Sequence, residues 1–111
     1  MVVREEMSDA EVDRVFRALA DATRRDIVRR TLRSPSTVSD LADRYDMSFA
    51  AVQKHVAVLE KAGLVHKEPR GRNRLVRGEP EAIRRAQDLL TTFEDIWRGR
   101  IDRLDALLEG E

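Results

Sequence analysis

Along residues 37–78 the apolar positions fall first on two short helical stripes and then on a two-stranded pattern, with no linker between them. Thr37 precedes Asp40 by three positions, the spacing at which each side chain can satisfy the other's free backbone N–H, so a helix starts near Val38. Val38, Leu41 and Ala42 supply its buried face, and the polar run Asp43-Arg44-Tyr45-Asp46 ends it after roughly two turns, with Met47 turning inward. Ser48 is the next N-cap. From it Val52, Val56, Leu59 and Ala62 recur at spacings of four, three and three, one apolar stripe that Gly63 terminates as a left-handed cap residue. Leu64-Val65-His66-Lys67 reads as a strand, Glu68-Pro69-Arg70-Gly71-Arg72-Asn73 as a turn, and Arg74-Leu75-Val76-Arg77 as the returning strand. Helix, turn, helix and basic hairpin in that order are the layout of a winged helix-turn-helix. The expected fold is mainly α with a small β-hairpin: about five helices plus a two-stranded wing, in one domain over 1–111.

The flanking segments complete the expectation. Residues 8–33 hold two N-terminal helices, 37–62 the helix-turn-helix, 64–78 the wing and 80–109 a C-terminal helix. Ser8 or Asp9 caps the first helix, whose apolar positions are Val12, Val15, Phe16, Leu19 and Ala20. Asp21 opens the second, with Ile27, Val28, Thr31 and Leu32 inward, and Ser34-Pro35-Ser36 separates it from the helix-turn-helix. Its outer side carries Arg24, Arg25, Arg29, Arg30 and Arg33, which either support phosphate contacts or only solubilise the helix. Pro80 suits a first helical position, and Ile83, Ala86, Leu90, Phe93, Trp97, Ile101, Leu104 and Leu108 then advance by three or four at every step. A helix of roughly 28 residues would be about 42 Å long, more than so small a domain can cover. Leu90, Phe93, Trp97, Ile101 and Leu104, with Val12, Val15 and Phe16 of the first helix, are therefore expected to meet a second copy of the chain. The alternative is an intrachain core between first and last helices. Gly99 interrupts the stripe and leaves a bend possible there, at a cost of about 1 kcal/mol relative to Ala.

Composition narrows the function. The 111 residues are 41% apolar and 38% charged, and the absence of cysteine excludes disulfides, thiolate metal sites and cysteine catalysis together. No run approaches the roughly 20 apolar residues of a membrane span, and the N-terminus has no signal-length apolar stretch, so a cytoplasmic protein without a membrane partner is expected. The formal net charge is zero, but its distribution is uneven: residues 1–20 carry −2, residues 21–78 carry +6 and residues 79–111 carry −4. A Debye length of roughly 8 Å lets the basic centre act almost independently of acids across the molecule.

Double-stranded DNA is the partner this pattern suggests. Ser48, Phe49, Ala50, Gln53, Lys54 and His55 lie on or beside the outward face of the second helix. A helix in the major groove uses its N-terminal residues on base edges, where Gln pairs with adenine and Lys with guanine or phosphate. Any surface helix also exposes Gln and Lys, so the context decides. The hairpin carries Lys67, Arg70, Arg72, Arg74 and Arg77 against one acid, Glu68, and Arg70, Arg72, Asn73 and Arg74 are its expected DNA contacts. His55 and His66 are read as packing or phosphate contacts.

With those residues assembled, the chain resembles ArsR/SmtB-type transcriptional regulators over nearly its whole length. The stretch from Phe16 through Ala20-Asp21-Ala22-Thr23-Arg24-Arg25 to Val28 is similar to the family's opening motif, except that Ala22 stands where proline is usual. Met47 to Val65 resembles its recognition helix, including Lys54-His55 and Ala62-Gly63-Leu64-Val65, and Gly71-Arg72 resembles its wing tip. The final helix, Phe93 to Leu108, is similar to a branch that lacks metal sites and commonly represses its own operons. Thr37 and Ser39 stand where soft-metal sensors place cysteines, and residues 79–111 hold no histidine where zinc sensors place ligands. Asp95, Asp102 and Asp105 are expected to be solvated carboxylates. The resemblance thus implies a regulator with no metal and no cofactor, and leaves any small-molecule effector unidentified.

A homodimeric repressor on a palindromic operator is the leading function. A winged helix used for protein recognition, with Phe49 and the wing on a partner surface, is the alternative. The sequence has no Ser-His-Asp arrangement, glycine-rich phosphate loop or paired histidines, and no enzymatic activity is expected.

Overall fold

The computed structural model describes residues 6–110; the first five residues and Glu111 of the expected domain lie outside the described residues. In chain order the elements are α1 (Asp9–Leu19), α2 (Ala22–Arg33), β1 (Ser36–Thr37), α3 (Val38–Ala42), α4 (Phe49–Lys61), β2 (Val65–Arg70), β3 (Asn73–Gly78) and α5 (Pro80–Glu109). Local chemistry sets most of the boundaries. Ser8 and Glu11 form a reciprocal capping box on α1, while Asp21, Thr37 and Ser48 each accept the backbone N–H three residues on. The end of α4 closes with Gly63 N–H donating to the Glu60 carbonyl and Leu64 N–H to that of Leu59, with both leucines buried.

One core serves the whole domain. Ile27, Val28 and Thr31 of α2 meet Leu41 of α3, Val52, Val56 and Leu59 of α4, and Leu64, Val65 and Val76 of the wing. Thr31 is admitted because its hydroxyl donates to the Ile27 carbonyl at 2.8 Å. Val15 and Ala18 close the core from α1, Ala82 and Ala86 from the first turns of α5.

The wing is larger than the two strands expected. Ser36 and Thr37 pair antiparallel with Val76 and Leu75, giving a three-stranded sheet of order β1-β3-β2. The stretch read as a separator therefore anchors the hairpin to the helix-turn-helix. Pro69 also lies within β2, opposite Arg74, and not in the turn. β2 is an edge strand, where a missing N–H is tolerated.

Two inward assignments fail for related reasons. Leu32 lies against the backbone of Gly78 with its outer side in solvent. Met47 is exposed because Tyr45 takes the inward place ahead of it, packed on the core with its hydroxyl on Asp26. α5 runs 30 residues through Gly99 as a single helix, about 45 Å long. The molecule is 70 Å in its longest dimension and 24 Å in its shortest, so no thickness of the domain can cover that helix.

Candidate nucleic-acid interface

The recognition element is built from the end of α3 and the start of α4. The Ser48 hydroxyl accepts from Ala51 N–H at 3.1 Å and fixes where α4 begins. Burial of Val52, Val56 and Leu59 then orients the helix and leaves Phe49, Ala50, Gln53, Lys54 and Ala57 exposed. Ser48 is exposed as well; its hydroxyl oxygen accepts in the cap, which leaves its O–H free to donate. His55 sits half-buried at the flank, its Nδ1 3.4 Å from Arg24 Nη1, so its packing role is visible in the single chain.

Arg24 itself is not aimed at a partner molecule. Its Nε donates to the Ala18 carbonyl at 2.7 Å and its Nη2 to that of Arg17 at 2.9 Å, while Arg25 Nη1 reaches the Leu19 carbonyl at 2.7 Å. These carbonyls lie in the last turn of α1, at the negative end of its dipole, and that of Arg17 also accepts from Ala20 N–H. Asp21, below the ordinary carboxylate range because it accepts from Arg24 N–H, completes the corner. Arg29 and Arg30 are held by Asp26 at 3.1 and 2.7 Å. Of the five arginines read as phosphate contacts, Arg33 alone makes neither a side-chain hydrogen bond nor an ion pair among the described residues.

The wing sorts its five cations the same way. β2 and β3 pair from Val65–Gly78 to Arg70–Asn73, leaving Gly71 and Arg72 as a two-residue turn. Gly71 has φ +60°, the left-handed value that the first central position of a type II′ turn requires. Arg77 clasps Glu68 with Nε at 3.0 Å and Nη2 at 3.2 Å, drawing that carboxyl below its ordinary range. Lys67, mostly covered, lies 4.0 Å from Glu60. Arg70, Arg72 and Arg74 are exposed at the tip with Asn73, without a counter-charge among the described residues. His66 is not a phosphate contact: its ring is held between Glu68, at 3.0 Å, and Glu79, which raise its pKa from 6.5.

The expected dimer surface is also partly redrawn. Val15 is 1% exposed inside the chain's own core and cannot meet a second copy. It sits on the α1 face that packs on the core, whereas Phe16, one position on, points out and Val12 is half-buried. On α5, Ala82 and Ala86 are buried, but Leu90, Phe93, Trp97, Ile101 and Leu104 are exposed, Phe93 and Trp97 at 57% each. The alternative of an intrachain core against α1 therefore reaches only the first turns of α5.

Residues 19–68 match the family model of a helix-turn-helix domain. Over 99 residues the chain is 34% identical to the HTH-type transcriptional regulator Rv2034 of Mycobacterium tuberculosis, which spans 89% of this chain and 90% of that protein. The crystal structure of the ArsR family transcriptional regulator RHA00566 superposes with a TM-score of 0.78 at 32% identity, over 85% of this chain and 97% of that one. The chain belongs to the ArsR family of helix-turn-helix transcriptional regulators. The homodimeric winged helix-turn-helix domain of Mb0332 from Mycobacterium bovis shares the fold, with a TM-score of 0.63 at 23% identity over 86% and 91% of the two chains. The protein is thus a DNA-binding regulator and not an enzyme.

Sequence reading of this ArsR-family regulator missed two large residues on α5. Ile96 and Leu107 are exposed beside the main stripe and widen its apolar face. Their signal was present: Ile96 lies three residues past Phe93, and Leu107 three past Leu104. Among the described residues no group of His, Cys, Asp and Glu is placed to hold a metal ion, and no helix is long and apolar enough to cross a membrane.

Proposed function

We propose that the protein is a cytoplasmic, homodimeric repressor that binds a palindromic operator and occludes RNA polymerase. Two copies join through Val12 and Phe16 of α1 and the apolar face of α5, a reading supported by the exposure of Phe93 and Trp97 on a long helix. The pairing places two α4 helices in successive major grooves, with half-site centres about 34–36 Å apart. Gln53 and Lys54 meet base edges, with Ser48, Phe49, Ala50 and His55 around them, and Arg70, Arg72, Asn73 and Arg74 meet the backbone beside the groove. The observation that carries the reading is the wing tip: a chain of zero formal charge leaves three arginines together without a counter-charge among the described residues. Phosphate is the partner that rewards such an arrangement.

Genomic fragments retained by the protein supply the test. Fluorescence anisotropy of a retained duplex and a scrambled one, titrated across salt, should give tighter binding to the former and a steep fall of affinity with salt for both. No retention of any fragment at low salt removes the DNA-binding reading, and retention without sequence preference removes the operator.

A further inference from the structure

The first two side chains of α4 offer no hydrogen-bonding chemistry. Ser48 is the cap: its hydroxyl oxygen accepts from Ala51 N–H, and its O–H is the one side-chain donor left at the tip. The first two helical residues are Phe49 and Ala50, both exposed, and Phe49 leaves 48% of its surface open although the core lies one turn away at Val52. Cα–Cβ bonds tilt toward a helix's N-terminus, so the Phe49 ring projects past the end of α4 and leads into whatever the helix enters. Gln53, one turn further on and also exposed, is the first side chain in the helix able to form a bidentate pair with a base.

A base met by Phe49 and Ala50 is read by apolar surface. The floor of the major groove presents one apolar group in unmodified DNA, the 5-methyl of thymine. We propose that Phe49, assisted by Ala50, is a specificity-determining residue that selects thymine through its 5-methyl group at the outer edge of each half-site. This assignment rests on the DNA-binding reading of α4. Phe49 contributes nothing to phosphate contacts, so its effect appears as discrimination between bases and not as a change in salt slope.

The test removes the methyl and nothing else from the base. A fragment retained from the genome is copied once with thymidine and once with deoxyuridine throughout, and both duplexes are titrated by anisotropy against the parent protein, Phe49→Ala and Phe49→Leu. One buried methyl corresponds to about fourfold in affinity, so two half-sites should make the parent bind the uracil duplex roughly fifteenfold more weakly. Phe49→Ala should bind both duplexes alike, and Phe49→Leu should keep part of the difference. Because the ring is half exposed, both variants should retain the parent's circular dichroism and thermal midpoint to within a few degrees. Equal binding of the two duplexes by the parent overturns the assignment alone. A difference of the parent's size that persists in Phe49→Ala also overturns it, since the methyl is then read elsewhere or through duplex shape. Failure of the parent to retain any thymine-containing fragment overturns the DNA-binding reading and this assignment with it.

Discussion

The Tyr45 hydroxyl donates to Asp26 Oδ2 at 2.5 Å, tying the turn between α3 and α4 to the middle of α2. Asp26 also holds Arg29 and Arg30, and the Arg30 guanidinium lies 6.0 Å from the Tyr45 ring centroid. A partly buried phenol, an acid and an arginine thus fasten the turn that leads into α4 onto α2.

Burial, and then the Asp26 carboxylate, push the Tyr45 phenol up from 10.0 to about 12. The fold favours the neutral phenol, so this contribution to stability is complete below pH 10 and is lost as pH rises toward 12. Asp26 runs the other way: Tyr45, followed by Arg30, holds its carboxyl below 3.8, so its contribution is complete above that value and fades as pH falls through the lowered one. Tyr45 is the chain's single tyrosine, so absorbance at alkaline pH reports it without deconvolution. Ionisation near pH 12 is expected while the protein stays folded, and Tyr45→Phe should cost about 1 kcal/mol in urea unfolding at neutral pH. A phenol that ionises near 10 in the folded protein contradicts the pairing.

The wing arginines should separate by their partners. Arg72→Ala and Arg74→Ala should each weaken binding to specific and scrambled duplexes alike and reduce the salt slope by about one unit per lost phosphate contact. Arg77→Ala should do much less, because Arg77 already faces the Glu68 carboxylate at 3.0 Å. Equal losses for Arg72, Arg74 and Arg77 across the salt series would show that the tip has no special role.

Much of this was legible in the sequence because caps and stripes are local. Ser8, Asp21, Thr37, Ser48, Gly63 and Pro80 each mark a boundary through bonds or dihedrals within a few residues. What was not legible depends on distant neighbours. Ser36 and Thr37 become a strand only because β3 returns beside them. Arg24 and Arg25 look like a basic face until the carbonyls of α1 close over them. Val15 and Phe16 are adjacent apolar residues on one helix, and only the packing of α1 on the core decides which one points in.

Two glycines of the wing should respond differently to a methyl group. A Cβ at Gly78 would lie 2.7 Å from the Leu32 backbone nitrogen and 2.9 Å from its Cα, so α2 or β3 would have to move. A Cβ at Gly71 meets nothing within 4 Å, leaving only the strain of φ +60°. Gly71→Ala should therefore cost about 1 kcal/mol, largely in wing order. Gly78→Ala should cost about 2–3 kcal/mol in global stability, as overpacking against backbone does. Thermal and urea unfolding of the two variants decide it, and a Gly78→Ala protein as stable as Gly71→Ala would mean that the strand stands further from α2.

Trp97 and Val15 test which apolar residues belong to the second copy. Trp97 is the chain's one tryptophan and is 57% exposed on a face of α5 that its own chain does not cover, while Val15 is 1% exposed. Trp97→Asp should leave the helical circular dichroism near that of the parent and convert the protein to monomer in sedimentation equilibrium, because a carboxylate desolvated at the centre of an apolar seam costs several kcal/mol. DNA affinity should fall with the lost pairing, since one half-site then binds without the other. Val15→Ala should instead lower the stability of each subunit by roughly 2 kcal/mol, by opening a cavity in the core, with subunit pairing nearly unchanged at temperatures where it stays folded. In the parent, tryptophan emission should shift to shorter wavelength as concentration rises through the dimer's dissociation constant. An emission maximum independent of concentration, together with a parent that sediments as a monomer at tens of micromolar, would rule out α5 as the joining surface.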